Sequence, residues 1–312
     1  MATIDRRHFL GTTAGLAAAV GGASLVRADD PPATAETSGA PPAPPIVPLG
    51  KTGIEVSRVA QGTGVHGVNR RSDQSRMGFA KLVALFHEAF DRGINFFDMA
   101  DNYGTHVYFR EALREMPRDQ VRVLTKLWWR YDGPDAPEST REPSRAAACR
   151  AALRRFRQEL GTDHIDVLLL HMVTSPTWDH DLEVYRDTLS EAKEEGRIGA
   201  VGCSCHSLAA LETASTCPWV DVILARYNPR GVIMDGSPDQ IGAVLGTARQ
   251  HGKAVIGMKI LGNGALADQR EPCLKFAQES GLLDAMTIGF DTADQMDDIL
   301  RLVHRYPAKA LV

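Results

Sequence analysis

Eight short apolar runs alternate with longer amphipathic stretches from residue 46 onward, and this alternation constrains the fold more than any other feature. The runs are rich in Val, Ile, Leu and Phe and are bounded by turn residues, which is typical of β-strands. They cover residues 58–62, 94–100, 121–127, 165–171, 198–204, 220–227, 254–260 and 285–290. Near-continuous apolar strands that are separated by helices indicate a parallel sheet covered by helices. Eight such units in roughly 250 residues predict a closed (β/α)8 barrel, or TIM barrel.

The stretches between the runs carry apolar residues at helical spacing. Cys149, Leu153, Phe156 and Leu160 advance by three or four residues along one helix face, and Gly161 follows them. Glycine just beyond a periodic segment is the common C-terminal cap of a helix. The same pattern ends at Gly93, after Leu82, Phe86, Ala89 and Phe90, and at Gly196, after Leu182, Tyr185, Leu189 and Ala192. Residues 46–56, which turn near 51–53, predict an N-terminal β-hairpin. A doubly wound open sheet is the alternative arrangement of the same strand–helix units.

The overall composition is that of an ordinary folded domain. The chain has 312 residues, of which 44% are hydrophobic and 24% charged, and its formal net charge is −4. This near-neutral balance gives no electrostatic reason to expect a nucleic acid or an anionic membrane as a partner. Five cysteines are scattered along the chain, and an odd number in a long sequence argues against a disulfide framework. We therefore expect one barrel domain, residues 46–312.

Two segments precede this domain. Residues 1–28 combine Arg6 and Arg7 with a weakly apolar stretch at 11–26 and a small-residue end. They resemble a twin-arginine export signal, which implies delivery to the periplasm or cell envelope of a bacterium and no stable membrane insertion after signal removal. A transmembrane anchor is the alternative, but the apolar stretch is short and rich in Ala and Gly. Residues 29–45 contain six prolines and predict an extended linker.

Three neighbouring strands each place a titratable residue at the same end of the predicted barrel, where active sites of such barrels lie. The second run ends near Asp98, the third near Lys126 and the fourth at His171, while Tyr103 lies in the loop after the second. Each residue alone has a structural explanation, such as a loop cap for Asp98 or a buried core histidine for His171. The structural explanation is weaker for the set, because a lysine on an apolar strand needs an anionic partner, which Asp98 can supply.

The chemistry of these residues suits the reduction of a carbonyl group. A hydride that reaches a carbonyl carbon leaves an oxyanion, which needs a proton. A free phenol has a pKa near 10 and is a weak acid at neutral pH. We therefore expect Lys126 to lower the pKa of Tyr103 and Asp98 to hold Lys126 in place. His171 can donate to the carbonyl oxygen and set its direction.

At these residues the chain resembles the aldo-keto reductase family, whose catalytic set is Asp, Tyr, Lys and His. The matching segments are residues 97–104, 124–126 and 160–166, and the likeness extends from residue 48 to residue 299. The resemblance implies catalytic roles for Asp98, Tyr103, Lys126 and His171, with Tyr103 as the general acid or base. It also implies NADP(H) or NAD(H) as the cofactor and an aldehyde or ketone, or the matching alcohol, as the substrate.

The resemblance further implies where the cofactor binds. The predicted contacts are Gly62, Thr63, Ser204, Cys205, Met258, Lys259, Leu261, Gly262 and Asn263. Three positions depart from the family pattern: Cys205 stands where Asn is often found, Leu224 where Gln is common, and Met258 where a Tyr stacks on the nicotinamide. Residues 259–264 resemble the loop that cradles the pyrophosphate.

The adenosine end of the predicted site is acidic. Family members meet the 2′-phosphate of NADPH with an arginine, whereas residues 288–299 here contain four aspartates and no Lys or Arg. A carboxylate repels that phosphate but can accept a hydrogen bond from a ribose hydroxyl. We therefore leave the choice between NADP(H) and NAD(H) open and expect weak discrimination.

Two further features have alternative interpretations. Cys203, Cys205 and His206 lie close together but lack a second ligand pair at zinc-site spacing, so no metal is expected. The three tryptophans that follow strands three and four either wall a substrate pocket or pack loops together; they are Trp128, Trp129 and Trp178.

We predict a hydride-transferring oxidoreductase. The alternatives are a cofactor-binding regulatory or sensor barrel with little turnover, and a metal-dependent barrel isomerase.

Overall fold

The computed structural model describes residues 39–129 and 142–311. The predicted export signal, residues 1–28, and most of the predicted linker, residues 29–45, lie outside the described part of the chain. The elements that the strand and helix patterns predict lie within it, so the barrel itself can be compared with the prediction strand by strand.

A closed barrel of eight parallel strands forms the centre of the structure, which confirms the predicted (β/α)8 fold. An antiparallel hairpin precedes it, made of β1 (Ile46–Pro48) and β2 (Glu55–Ser57). The barrel strands are β3 (Val59–Gly62), β4 (Phe96–Asp98), β5 (Arg122–Leu127), β6 (Ile165–Val173), β7 (Ile198–Cys205), β8 (Val222–Arg226), β9 (Ala254–Met258) and β10 (Ala285–Gly289). Each strand pairs with its neighbours in chain order, and β10 closes the barrel against β3.

Helices connect the strands and cover the outside of the barrel. They are α1 (Asp73–Arg76), α2 (Phe79–Asp91), α3 (His106–Leu113), α4 (Glu142–Leu160), α5 (Trp178–Asp181), α6 (Glu183–Glu194), α7 (Leu208–Thr216), α8 (Pro238–Gln250), α9 (Arg270–Glu279) and α10 (Ala293–Arg305). The periodic residues of α4, from Cys149 to Leu160, are buried as their spacing predicts. Within the described residues, no helix combines the length and apolar character that crossing a bilayer requires.

Side chains of the barrel strands point alternately to the interior and to the surrounding helices. The interior cluster holds Ala60, Phe96, Leu124, Val167, Leu169, Ala200, Val222, Leu224, Ala254, Ile256, Met258 and Ala285. Leu49 and Val56 of the hairpin belong to the same cluster, so the hairpin closes the N-terminal end of the barrel. The part of the barrel interior next to the hairpin, called the lower barrel below, is therefore a packed apolar core.

Strand ends differ from the predicted ends by a few residues. The run at 94–100 contributes only Phe96–Asp98 to the sheet, because Asp101–Tyr103 already form a short 3-10 helix. In contrast, β6 continues past His171 to Val173 through an irregularity at Met172, whose φ is +59°. The early end of β4 and the extension of β6 both occur at the C-terminal ends of strands, where the loops of the site begin.

Gly196 and Gly246 offer a matched test of why a glycine is needed. Gly196 follows α6 with φ of +71°, whereas Gly246 lies inside α8, and open space surrounds an added Cβ at both positions. Gly196→Ala should destabilise the protein by about 1–2 kcal/mol, because an L side chain strains the left-handed conformation. Gly246→Ala should stabilise it by about 0.5–1 kcal/mol, because Ala is the better helix former. Urea unfolding measures both, and a loss of stability in both variants would contradict this explanation.

Candidate active site

A ring of eight inward-facing residues lies above the apolar core at the C-terminal ends of the strands. Each lies two residues beyond another inward-facing position of its strand, because alternate side chains point the same way. The ring consists of Gly62, Asp98, Lys126, His171, Ser204, Arg226, Met258 and Thr287. All eight line one cavity of about 740 Å³, and Tyr103 joins them from the loop after β4. The structure therefore brings the four predicted catalytic residues together.

A buried ion pair joins Lys126 to Asp98 within this ring. Lys126 Nζ donates to Asp98 Oδ1 and, at 2.9 Å, to the carbonyl oxygen of Met99. Thr287 Oγ1 donates to the other carboxylate oxygen of Asp98 at 2.8 Å. Burial alone would lower the pKa of Lys126, but Asp98 and Tyr103 more than offset this and raise it. Lys126 is therefore a cation throughout the neutral pH range.

Tyr103 lies beside the ion pair with its hydroxyl close to His171. Its ring centroid is 4.9 Å from Lys126 Nζ, and its hydroxyl oxygen is 3.5 Å from His171 Nε2. Gly64 and Gly67, in the loop after β3, contact the ring so closely that a Cβ at either would come within 2.4 Å of a ring carbon. The spacing of glycines at 62, 64 and 67 is that of a dinucleotide-binding loop. In this structure, however, the last two make room for Tyr103.

The pKa of Tyr103 moves in the direction opposite to the one we expected. Burial raises the pKa of the phenol, and Lys126 and Arg226 offset this only in part. The expected lowering was wrong because it included the nearby cation without the removal of the phenol from water. Tyr103 therefore keeps its proton at neutral pH and is available as a donor.

His171 is an uncharged imidazole in this site. Its pKa lies well below the ordinary value because the ring is buried and faces Lys126, His206 and Lys259. Nε2 is the atom close to Tyr103, while Nδ1 has no hydrogen-bond partner among the described residues. A neutral imidazole with its proton on Nε2 can donate to a carbonyl oxygen without adding charge to the site.

A charged network behind Tyr103 attaches its loop to α4. Asp101, two residues before Tyr103, is buried and accepts two hydrogen bonds of 2.8 Å from Arg155. Arg70 lies 3.4 Å from the same carboxylate and 2.7 Å from Glu159. Although burial raises the pKa of Glu159, bonds to His106 and Arg70 lower it to about 2. Glu159 is therefore ionised at neutral pH, and the network fixes the position of the Tyr103 loop.

Six of the nine predicted cofactor contacts line the cavity. They are Gly62, Ser204, Met258, Lys259, Leu261 and Asn263. The other three, Thr63, Cys205 and Gly262, are not among the lining residues. Cys205 faces away from the cavity, with its Sγ 3.7 Å from that of Cys203, because it follows inward-facing Ser204 on the strand. Thr63 is buried against Thr105, and Gly262 packs close to the Val232 side chain.

Lys259 lies in the cavity near two other cations, Lys126 and Arg226. Its backbone is left-handed, with φ of +56°, and its ammonium donates to Asn263 Oδ1 at 2.8 Å. Burial, Arg226 and Lys126 together lower the pKa of Lys259 to about 8. A bound anionic group would offset the repulsion among these cations.

Sequence reasoning missed Arg226 and its partners. Arg226 Nη1 donates to Asp235 Oδ1 at 3.0 Å, and Nη2 donates to His206 Nδ1. The signal was present, because Arg226 lies two residues after Leu224 and strand alternation places both on the interior face. Thr287 was missed although the same alternation places it in the ring.

Hydrogen bonds support the loop-packing interpretation for Trp178 and Trp129, and none of the three tryptophans is among the residues that line the cavity. Trp178 is buried, and its Nε1 donates to the carbonyl oxygen of Ala210 at 3.1 Å, which packs α5 against α7. Trp128 and Trp129 lie close to His171: the Trp128 ring is 5.8 Å from the imidazole, and Trp129 Nε1 donates to the His171 carbonyl oxygen at 2.7 Å.

In residues 39–129 and 142–311, no group of three His, Cys, Asp or Glu side chains could hold a metal ion.

Known proteins share this sequence pattern. The model of the Aldo/keto reductase family matches residues 62–306. An NADH-specific methylglyoxal reductase of Escherichia coli strain K12 is 28% identical over 202 residues, which cover 58% of each chain. A Glycine max protein named probable aldo-keto reductase 1 is 30% identical over 168 residues, 51% of this chain and 44% of that protein. The chain thus spans about half the length of the curated relatives that it matches.

Solved structures share the fold. A Pseudomonas aeruginosa protein assigned to the aldo-keto reductases is 25% identical, with a TM-score of 0.66 over 84% of this chain and 94% of that chain. An aldo-keto reductase of Bacillus halodurans in its holo form is 19% identical, with a TM-score of 0.61 over 85% of this chain and 92% of that chain. The second likeness extends to the barrel fold alone.

Removal of Arg155 tests the network behind Tyr103. Arg155→Ala leaves the buried Asp101 carboxylate without its main partner, which should destabilise the protein by about 3–5 kcal/mol. The low end is expected, because Arg70 lies near the same carboxylate. Arg150 is the control: it lies on the same helix in an exposed pair with Glu191, so Arg150→Ala should change stability by less than about 1 kcal/mol. Equal urea unfolding curves for the two variants would contradict the role given to Arg155.

Proposed function

The chain belongs to the aldo/keto reductase family, and on that basis we propose that it is an NAD(P)-dependent oxidoreductase. It transfers a hydride between a nicotinamide cofactor and an aldehyde or ketone, or the matching alcohol. The observation that carries the proposal is the convergence of Asp98, Tyr103, Lys126 and His171 on one cavity. The E. coli relative is named for methylglyoxal reduction, so methylglyoxal is a suitable first substrate to test.

The cavity has groups that fit a nicotinamide dinucleotide. Lys259, whose pKa is lowered to about 8 by burial and neighbouring cations, would hold the pyrophosphate together with Asn263. Ser204 and Met258 in the ring would contact the nicotinamide. When bound in its reduced form, the cofactor supplies the hydride for the carbonyl carbon.

Tyr103 supplies the proton in carbonyl reduction. A carbonyl oxygen that lies near both the Tyr103 hydroxyl and His171 Nε2 accepts hydrogen bonds from the two groups. Lys126 stabilises the negative charge that develops on the phenolic oxygen as the proton leaves, and Asp98 keeps Lys126 in position. In alcohol oxidation the proton moves in the opposite direction, and Tyr103 is the base.

A cofactor-binding regulatory or sensor barrel with little turnover is the second candidate. Leu224 and Met258 favour it, because both present apolar side chains to the cavity where the family pattern has a Gln and a Tyr. Wild-type protein that binds NADH but does not reduce any aldehyde or ketone would support this candidate.

Tyr103→Phe removes the proton donor and keeps the ring. We expect turnover to fall on the order of 10²–10⁴-fold, the usual contribution of general acid catalysis, with NADH affinity nearly unchanged. The acid is the protonated phenol of Tyr103, and burial raises its pKa. Reduction by the wild type should therefore decline only at a pH above the ordinary pKa of tyrosine. Tyr108→Phe on α3, where the ring packs against Phe79, is the control. Wild-type turnover by Tyr103→Phe would disprove the assignment.

The adenosine end of the cavity supports weak discrimination between the two cofactors. Asp291 and Asp298 line it, and Arg270, the nearby cation, donates to Asp298 Oδ2 at 3.1 Å. Asp297 lies elsewhere, in an ion pair with Arg92. The E. coli relative is NADH-specific by name, which agrees with an acidic end whose nearby cation, Arg270, is paired with Asp298.

We expect weak discrimination between NADH and NADPH, with NADH accepted at least as readily as is usual in the family. Dissociation constants measured by protein fluorescence at low and high salt provide the test, since salt weakens a charge-based preference. Asp298→Asn should release Arg270 and shift the ratio of the two dissociation constants toward tighter NADPH binding. Asp163→Asn is the control, because this exposed carboxylate pairs with Arg157 and not with Arg270. NADPH binding a hundredfold tighter than NADH in the wild type would reveal a basic clamp and contradict the proposal.

Export by the twin-arginine route is a separate part of the proposal, based on the resemblance of residues 1–28 to such a signal. This route carries folded proteins, so a tightly held nucleotide could leave the cytoplasm with the chain. Replacing Arg6 and Arg7 by Lys should retain the protein in the cytoplasm. Cell fractionation with a cytoplasmic marker measures this, and native protein found entirely in the cytoplasm would contradict the proposal.

A further inference from the structure

Arg226 occupies a position in the catalytic ring that the proposed hydride transfer does not use. It is the third inward-facing residue of β8, above Val222 and Leu224 of the core. Its side chain is 17% exposed and lines the same cavity as Tyr103 and His171. Nε is buried and has no hydrogen-bond acceptor among the described residues.

The partners of Arg226 leave this end of the cavity electropositive. Lys126, Arg226 and Lys259 supply three positive charges, against the two carboxylates Asp98 and Asp235. Burial raises the pKa of Asp235, and Arg226 opposes this only in part. Arg226 also acts on the pKa of Tyr103 and of Lys259, and it lowers both, so its charge is felt where the substrate reacts.

Two exposed apolar side chains lie in the wall of the same cavity. Val68, in the loop after β3, is 52% exposed, and Ile233, in the loop after β8, is 46% exposed. Ile233 lies two residues before Asp235, so the loop that carries the partner of Arg226 also carries apolar surface. A ligand that suits this wall has a short apolar body and a negatively charged group.

We infer that the substrates are carbonyl compounds that also carry a carboxylate, and that Arg226 binds that carboxylate. The inference rests on the proposed function and adds the substrate class. In the reaction, the carbonyl carbon gains a hydride from NAD(P)H and the oxygen gains the Tyr103 proton. An oxo acid thereby becomes a hydroxy acid, NAD(P)H becomes NAD(P)⁺, and the carboxylate is unchanged.

The cofactor pyrophosphate is the competing anion for Arg226. Two observations favour the substrate instead. Arg226 Nη2 donates to His206, whose ring centroid is 6.4 Å from that of His171. Lys259 and Asn263, in contrast, form their own hydrogen-bonded pair in the segment after β9. If Arg226 binds the pyrophosphate, a neutral variant should lose affinity for NADH. If Arg226 binds the substrate carboxylate, the variant should lose its preference for acid substrates.

The test compares 4-oxobutanoate with its neutral methyl ester as substrates of wild-type protein and of Arg226→Gln. Wild-type kcat/KM should be higher for the acid. Arg226→Gln should lower kcat/KM for the acid by about 10- to 100-fold more than it lowers the value for the ester, because only the acid loses charge-assisted hydrogen bonds. For Arg226→Lys, which keeps the charge, kcat/KM for the acid should lie between the values for the wild type and for Arg226→Gln.

A second variant addresses the ion pair that Arg226→Gln breaks. The double variant Arg226→Gln with Asp235→Asn leaves no buried carboxylate without a partner, so it should fold normally and show the same selective loss. Equal losses for acid and ester would assign Arg226 a purely structural role and overturn the inference. A weaker affinity for NADH in Arg226→Gln, with the acid-to-ester ratio unchanged, would place Arg226 on the pyrophosphate and overturn it as well.

Binding measurements separate this inference from the proposed reaction. Calorimetry with 4-hydroxybutanoate and with uncharged 1,4-butanediol, both in the presence of NAD⁺, requires no turnover. Wild-type protein should bind the acid more tightly, and Arg226→Gln should lose that difference. If this result is obtained while wild-type protein reduces neither oxo compound, the reaction is wrong but the carboxylate site stands. If the wild type binds both alcohols alike, the carboxylate site is wrong whatever the protein reduces.

Discussion

An ammonium group that is buried among apolar strands must be neutralised and hydrogen-bonded, and the rest of the site depends on how Lys126 meets this requirement. Asp98 of β4 supplies the charge, and Thr287 of β10 holds the second carboxylate oxygen. The three side chains come from three strands of the closed barrel, so the arrangement requires the barrel to close. Tyr103 then lies beside a cation whose charge is constant near neutral pH. The acid chemistry of Tyr103 therefore depends on the closure of the barrel.

The fold and the four residues Asp98, Tyr103, Lys126 and His171 were accessible from the sequence because their signals are local. Apolar runs mark the strands, and the end of a barrel strand marks the cavity. The shift of the Tyr103 pKa was not accessible, since it depends on how completely the phenol is removed from water. That quantity depends on the Gly64 and Gly67 contacts, which follow from the path of a loop rather than from any periodic pattern.

Strand alternation explains which of the predicted cofactor contacts on the strands line the cavity. Ser204 and Met258 share the inward orientation of the ring, whereas Cys205 has the opposite one and packs beneath α7. The family resemblance drew attention to Cys205 and Leu224 as departures from a pattern, and Arg226, two residues after Leu224, was not considered. Its partner Asp235 lies in a loop, where no periodicity indicates that the two side chains meet. A cavity residue such as Arg226 is found from its orientation on the strand.

The barrel interior has two regions with separate duties, and the hairpin closes the N-terminal one. Leu49 and Val56 pack onto the lower layers, which include Phe96 and Leu124, while the ring above them carries the reactive groups. In many enzymes the same residues serve stability and activity, so improving one impairs the other. Here the two duties fall on different layers of the same strands. The upper ring can therefore diversify toward new substrates over evolutionary time while the lower layers keep the barrel folded.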